Sequence, residues 1–267
     1  MSEALITGAS SGLGAEFARQ LAQQGWNLIL VARRKDALQA IADELSEAYG
    51  VDVHVLAADL AEIHGREAVA SMIAGRPVCP RLVINNAGFS IPAAFASQPW
   101  ENHQGMIDVN ITAMTQLSHA LAKRIQEDHD RMDQDHVLAA VQPVPSLINV
   151  ASVAAFAGVG LYSGAKRYQV LLSRRIARQM AGRLAVQALC PGFVRTGFHS
   201  TEAYSGSKLP GRVPGFMWLS AGFVVRKSLA HIRRQQRRAA SGKAGRPVAV
   251  PSWRYALLVR LARLAGL

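Results

Sequence analysis

The chain has 267 residues, half of them hydrophobic, with a formal net charge of +12 and only two cysteines. That size suits one large core, and Cys79 and Cys190, without a C-x-x-C partner, argue against a disulfide framework and a thiolate metal site. The start lacks a basic segment followed by an adequate apolar one, and no run of about 20 apolar residues occurs, so we expect a cytoplasmic protein without a secretory leader or membrane span.

Apolar runs at residues 4–7, 27–31, 51–55, 81–84, 146–150, 186–189 and 247–250 read as strands, and helical patterns at 15–24, 36–49, 62–74, 105–124 and 162–181 lie between them. The alternation predicts an α/β fold: a doubly wound, Rossmann-type, mostly parallel sheet of about seven strands with helices on both faces. One catalytic domain is expected over 1–267, with no internal repeat, a substrate-loop segment at 197–222 and a basic C-terminal segment at 223–267.

Behind the first strand stands Thr7-Gly8-Ala-Ser10-Ser11-Gly12-Leu13-Gly14. A glycine-rich turn opening a helix lets backbone N–H groups and the helix dipole meet a phosphate, and glycine permits close approach. The spacing differs from both G-x-G-x-x-G and the P-loop. Farther along come Arg33-Arg34 after the second strand, Asp59-Leu60 after the third, and Asn85-Asn86-Ala87-Gly88 after the fourth. Asn110 lies in the helix that follows. Ser152 follows the fifth strand, Tyr162 and Lys166 stand four apart on a helix, and Pro191-Gly192-Phe193-Val194 with Thr196 follows the sixth. At i, i+4 the Tyr162 and Lys166 side chains share a face, where an ammonium can lower the phenol pKa. A residue just past a parallel strand, such as Ser152, sits at the edge where ligands of such folds bind, although a turn hydroxyl bonded to backbone is the plainer use.

In this order the residues resemble the short-chain dehydrogenase/reductase family: Thr7-Gly8-x-x-x-Gly12-x-Gly14, Asp59, Asn85-Asn86-Ala87-Gly88, Asn110, Ser152, Tyr162-x-x-x-Lys166 and Pro191-Gly192. The likeness covers roughly 1–200. It implies a dinucleotide held by Gly8, Ser10, Ser11, Gly12, Leu13, Gly14, Asp59, Leu60, Asn86, Ala87, Gly88, Tyr162, Lys166, Pro191, Gly192, Val194 and Thr196. It also implies hydride transfer between a nicotinamide and a carbonyl or secondary alcohol. Tyr162 would be the general acid/base, Lys166 would tune it and hold the ribose, Ser152 would bind the substrate oxygen, and Asn110 would position a relay water. The loop 153–161 is shorter than the family pattern, which reshapes the pocket.

Where an NAD-binding chain carries an acid for the ribose 2′-hydroxyl, this one has Arg33 and Arg34, which suit a 2′-phosphate. NADP(H) is the expected cofactor, with Arg33 the first choice and Arg34 the second. No metal is expected: the charged stretch 126–145, with His129, Asp133 and His136, reads as a solvated insertion. The segment 197–222, with Phe198, His199, Tyr204, Phe216, Met217 and Trp218, reads as an apolar lid for a small-molecule ketone, aldehyde or alcohol.

Residues up to Glu202 hold 17 Lys/Arg against 18 Asp/Glu, whereas those after it hold 13 Lys/Arg and no acid. That tail suggests weak contact with an anionic membrane surface, or packing on the domain or a second subunit. On a helical wheel Arg254, Arg260 and Arg263 do not separate from Leu257, Leu261 and Leu264. No nucleic-acid reading motif accompanies the charge, so no nucleic-acid partner is expected. A homodimer or homotetramer is expected. Two other readings stay open: an NADP-binding regulatory protein without turnover, and a peripheral binder of anionic surfaces acting through the tail.

Overall fold

The computed structural model describes residues 2–134, 143–200, 213–243 and 245–264. Six principal strands, β1 (Glu3–Thr7), β2 (Asn27–Ala32), β3 (Val53–Ala57), β4 (Leu82–Asn85), β5 (Ser146–Val150) and β6 (Ala185–Leu189), are completed near the end of the chain by β9 (Val248–Ala249). They form one seven-stranded sheet in the order β3-β2-β1-β4-β5-β6-β9, every neighbouring pair parallel. All seven expected strands are present. Two short strands, β7 (Val194–Arg195) and β8 (Leu219–Ser220), pair with each other on either side of the segment 196–218.

The inner strands are mostly apolar because both sheet faces are covered, whereas the edge strand β3 carries the exposed His54. In β1 and β2, Ala4, Ile6, Leu28 and Leu30 face one core and Leu5, Ile29 and Val31 the other. The first core is closed by α1 (Gly12–Ala22), α2 (Lys35–Tyr49) and α8 (Ala221–Ala240), through residues such as Phe17, Leu38 and Val225. The second is closed by α3 (Ile63–Ala74), α5 (Met114–Gln134) and α7 (Leu161–Gln179), through Val69, Leu121 and Ile176. Strand order reverses between β1 and β4. Ligands of open parallel sheets bind in the crevice beyond the strand carboxyl ends at such a point.

The fourth helical pattern differs from expectation at both ends. It begins at α4 (Trp100–Ile107), passes through a π-helical turn at Asp108–Ala113 and continues as α5 to Gln134. Residues 126–134 are therefore helix, not an insertion between elements. Lys123 with Glu127 and Arg124 with Asp128 form i, i+4 pairs that favour extending the helix. Residues 135–142, including His136, lie outside the described residues. Among the described residues no group of three His, Cys, Asp or Glu side chains could hold a metal ion, and no helix is long and apolar enough to cross a membrane.

The basic tail folds onto the domain. In α8, Val224, Val225, Leu229 and Ile232 are buried against the first core, with Arg233, Arg234 and Arg237 outside. The last helix, α9 (Trp253–Leu264), buries Tyr255 and Val259 and exposes Trp253, Leu257, Leu258 and Leu261.

Candidate active site

The turn between β1 and α1 is shaped by what its glycines lack. Gly8 and Gly12 have φ of +65° and +59°, angles that side chains disfavour. A Cβ on Gly14 would stand 2.2 Å from the Gly8 carbonyl oxygen and 2.6 Å from Asn86 Nδ2. Thr7 and Asn86 lock this turn to β4. The backbone N–H groups of Asn86 and Ala87 donate to Thr7 Oγ1, both at 3.0 Å, while Asn86 Nδ2 donates to the Thr7 and Gly8 carbonyls at 2.9 and 3.1 Å. Asn86 thus holds the turn through its amide rather than presenting that amide to a ligand. Ser11, the N-cap of α1, makes no side-chain cap bond, and no acid stands in the first turn. The helix opening is left electropositive.

The two arginines diverge. Arg34 Nη2 donates to Ser10 Oγ at 3.3 Å, which brings its guanidinium to the glycine turn. Arg33, 76% exposed, lies 3.8 Å from Asp59 Oδ2. Asp59 Oδ1 also accepts from Ala61 N at 2.9 Å, so the carboxylate shapes its own turn. The Leu60 side chain is buried in the second core, and Leu13 packs on the first, leaving their backbone groups for a ligand.

Across the crevice the π-helical turn carries Asn110, which is fully buried. Its Nδ2 donates to the carbonyls of Phe89 (2.9 Å) and Met106 (3.1 Å), and its Oδ1 has no hydrogen-bond partner. A Cβ on Gly88 would reach that Oδ1 at 2.7 Å and Lys166 Nζ at 3.5 Å, so the missing side chain leaves the two polar atoms facing a common space. Lys166 is buried in α7. Its Nζ donates to Val150 O (2.9 Å) and Gln169 Oε1 (3.1 Å) and stands 5.5 Å from the centroid of the Tyr162 ring. Burial pulls the ammonium down from 10.5 to about 7. Gln169 completes a bridge, because its Nε2 donates to the Asn110 carbonyl at 2.6 Å. The backbone carbonyl of Asn110, the residue expected to position a relay water, is thus already engaged by a side chain.

Ser152 takes the plainer use in this structure, its Oγ accepting from Ala154 N at 3.2 Å. The short loop after it folds as α6 (Ala154–Ala157) and returns to α7 through Gly160 at φ +91°. Thr196 lies against Gly12, its Cβ 3.3 Å from where a Gly12 Cβ would stand, and Val194 is buried. The Tyr255 ring covers Gly192 so closely that a Cβ there would overlap it. Tyr255 Oη accepts from Phe193 N (3.1 Å) and donates to Met217 O (3.0 Å), which ties α9 to the Pro191-Gly192 segment and to the turn at Gly215–Met217. Phe198 lies 6.3 Å, centroid to centroid, from Tyr162, and Phe193 lies 5.4 Å from Trp218. Residues 201–212, Tyr204 among them, lie outside the described residues.

The sequence profile of the family described as short chain dehydrogenase matches residues 2–205. The chain belongs to that family. Serine 3-dehydrogenase of Rhizobium radiobacter is 30% identical over 202 residues, covering 73% of this chain and 72% of that protein. A solved short-chain dehydrogenase from Sphingobium yanoikuyae, in complex with NADPH, is 27% identical with a TM-score of 0.78, covering 100% of this chain and 96% of its own. A bulky-bulky ketone specific alcohol dehydrogenase from Comamonas testosteroni is 25% identical with a TM-score of 0.74, covering 100% and 95%.

This short-chain dehydrogenase therefore belongs among the oxidoreductases, and a nicotinamide dinucleotide fits the residues present. The uncapped start of α1, the bare Gly88 and the unpartnered Asn110 Oδ1 all lie along the carboxyl edge of β1, β4 and β5. Sequence reasoning missed Gln169 and Tyr255. The first had a signal: Lys166, Gln169 and Ser173, at i, i+3 and i+7, form a polar stripe, and all three are buried. The second had none, since a tyrosine in a basic tail does not announce that it covers a glycine about sixty residues earlier.

Proposed function

We propose that the protein is an NADP(H)-dependent carbonyl reductase or secondary-alcohol dehydrogenase in which Tyr162 exchanges the proton. The observation that carries this reading is the buried Lys166 ammonium 5.5 Å from the Tyr162 ring, beside Gly88 and the unpartnered Asn110 Oδ1. In reduction the Tyr162 hydroxyl gives its proton to the substrate oxygen, and in oxidation it takes one back. Lys166, held by Val150 O and Gln169 Oε1, favours the phenolate by its charge and keeps one N–H for a ligand hydroxyl. The Ser152 hydroxyl, which only accepts from Ala154 N, keeps its hydrogen free to steady the substrate oxygen. When bound, the nicotinamide supplies or takes up the hydride.

The residues that would hold the dinucleotide are the backbone of 8–14 and the segments at Asp59, Ala87-Gly88 and Pro191–Thr196, together with Lys166. Selectivity for NADP(H) rests on Arg33 and Arg34. Because Asp59 partly offsets the charge of Arg33, we give Arg34, bonded to Ser10, the larger share of the 2′-phosphate. The Sphingobium relative was solved with NADPH, in keeping with NADP(H) as the cofactor. Phe198 beside Tyr162, with Phe193 and Trp218, favours a carbonyl with apolar substituents, in keeping with the bulky ketones named for the Comamonas relative.

The test is turnover of NADPH and of NADH against a ketone and aldehyde panel, with wild type and Tyr162→Phe side by side. Expected are faster turnover with NADPH and a loss of roughly 10²–10⁴-fold in the variant. Turnover untouched by the substitution would remove Tyr162 from the mechanism, and equal rates with both cofactors would remove the argument from Arg33 and Arg34.

A further inference from the structure

The sheet edge remote from the active site also carries a cavity. At the amino-terminal ends of β4 and β5, between α1 and α8, a space of about 160 Å³ is lined by Arg81, Ser146 and Arg233 among apolar walls. Leu21, Trp26, Leu82, Leu229 and Ile232 supply those walls. Arg81 Nη2 and Ser146 Oγ are both shielded from solvent, and neither has a hydrogen-bond partner. Among the described residues that line it there is no carboxylate. Glu3, which stands near in sequence to the lining residue Ser2, has its carboxylate held by Arg76 at 2.6 Å. Burial depresses the Arg81 pKa, an effect that the neighbouring Cys79 thiol only partly offsets. On the exposed side Arg233 is turned by its Nη1 bond to Gln24 Oε1 at 3.0 Å, which leaves its other N–H groups available.

A half-buried guanidinium with one shielded, unpaired nitrogen, next to an unsatisfied hydroxyl, is an arrangement that native interiors rarely retain. A second guanidinium at the same mouth, and walls that are apolar apart from Ser2, Gln24 and Gln236, define what would satisfy it. We propose that this cavity binds a small organic carboxylate whose apolar body is about the size of a benzene ring. The carboxylate would bridge Arg81, Ser146 and Arg233, and its body would lie against Leu229, Ile232 and Trp26. The size follows from volume, since an apolar cavity of about 150 Å³ accepts benzene. The charge follows from the forked match of guanidinium to carboxylate. The site lies at the opposite edge of the sheet from the Gly8–Gly14 turn and does not depend on the assignment of Tyr162.

Benzoate and its neutral counterpart benzamide distinguish the outcomes. Each is titrated into the full-length protein at constant ionic strength, with saturating NADPH present, by calorimetry and by thermal unfolding. Benzoate should bind saturably and raise the unfolding temperature, whereas benzamide and matched sodium chloride should not. Arg233→Gln, at an exposed position, should weaken benzoate roughly tenfold or more, and Ser146→Ala several-fold. Arg81→Met should abolish binding, and if that variant fails to fold the other two carry the test. Equal binding of benzamide would show an apolar void without anion recognition. Benzoate binding unchanged in Arg233→Gln and Ser146→Ala would place it elsewhere, including at the substrate site. No saturable binding would leave the cavity to water alone. Each of these three results overturns the proposal.

Discussion

The two sides of the β1–β4 crevice make room for a ligand by opposite means. On the β1 side the space comes from absent side chains: Gly8 and Gly14 let backbone meet backbone, Gly12 lets the Thr196 side chain approach, and Thr7 and Asn86 seal the turn to β4. On the β5 side it comes from buried polar groups that hold one another, with Lys166, Gln169 and Asn110 bridging α7, the end of β5 and the π-helical turn. The first side has no freedom to accept an added atom. The second can accept a change of shape, provided every buried donor and acceptor is still met.

The sharpest way to break that contrast is Gly14→Ala. Its methyl would stand 2.2 Å from the Gly8 carbonyl oxygen and 2.8 Å from the Gly8 carbonyl carbon, and both atoms belong to a turn already pinned by Asn86. Relief requires moving backbone, which costs about 3 kcal/mol or more. The unfolding temperature should fall by roughly 6–12 °C, with cofactor stabilisation lost at the same time. A variant that kept both would show the turn to be softer than its contacts imply.

Gln169→Leu tests the other side with a smaller cost. It preserves bulk but strands the Asn110 carbonyl and one Lys166 N–H, a loss of roughly 2 kcal/mol. The effect should depend on pH. Lys166 titrates near 7 when folded and near 10.5 when unfolded, so between those values the unfolded chain holds a proton that the native protein has released. Native stability from this group therefore rises as pH climbs from 7 to 10.5, and below 7 the full cost of the buried charge is present. Losing the Gln169 acceptor lowers the folded pKa further. The variant should be hurt more at pH 6 than at pH 9 in urea unfolding, and Gln169→Glu should recover part of the loss at pH 6. A penalty independent of pH would make Gln169 a packing residue only.

What the sequence reveals divides along the same line. All seven sheet strands are legible: β1, β2, β4, β5 and β6 because a parallel strand buried on both faces is a mostly apolar run, and the edge strands β3 and β9 because Val53, Val55 and Val248 still mark them. The glycine turn is legible because missing atoms leave a mark that no other residue can mimic. The π-helical turn at Asp108–Ala113 leaves no such mark, since DVNITA could continue an ordinary helix, and what sets it apart is a contact with α7, through Gln169 on the Asn110 carbonyl. Charged residues 126–134 were readable as helix from their i, i+4 pairs, but their polarity resembles that of a loop. Roles made by contacts across the fold, such as Gln169 on the Asn110 carbonyl or Tyr255 over Gly192, depend on distances that spacing does not encode.

The smallest expected effect is the most discriminating. Gly164 lies between Tyr162 and Lys166 in α7, so its place in the chain suggests the same necessity as Gly14. Its surroundings say otherwise: it is exposed, it is not among the positive-φ glycines, and a Cβ would meet nothing within 4 Å. A helical glycine with open space around it costs conformational entropy without supplying room to a ligand. Gly164→Ala should stabilise the protein by about 0.5–1 kcal/mol, seen as a rise of roughly 1–4 °C in unfolding temperature. Turnover should not change, because the new methyl touches neither Tyr162 nor Lys166. Destabilisation, or a fall in kcat at constant KM, would mean that glycine makes room on the β5 side as well, and the division between absent and buried side chains would not hold.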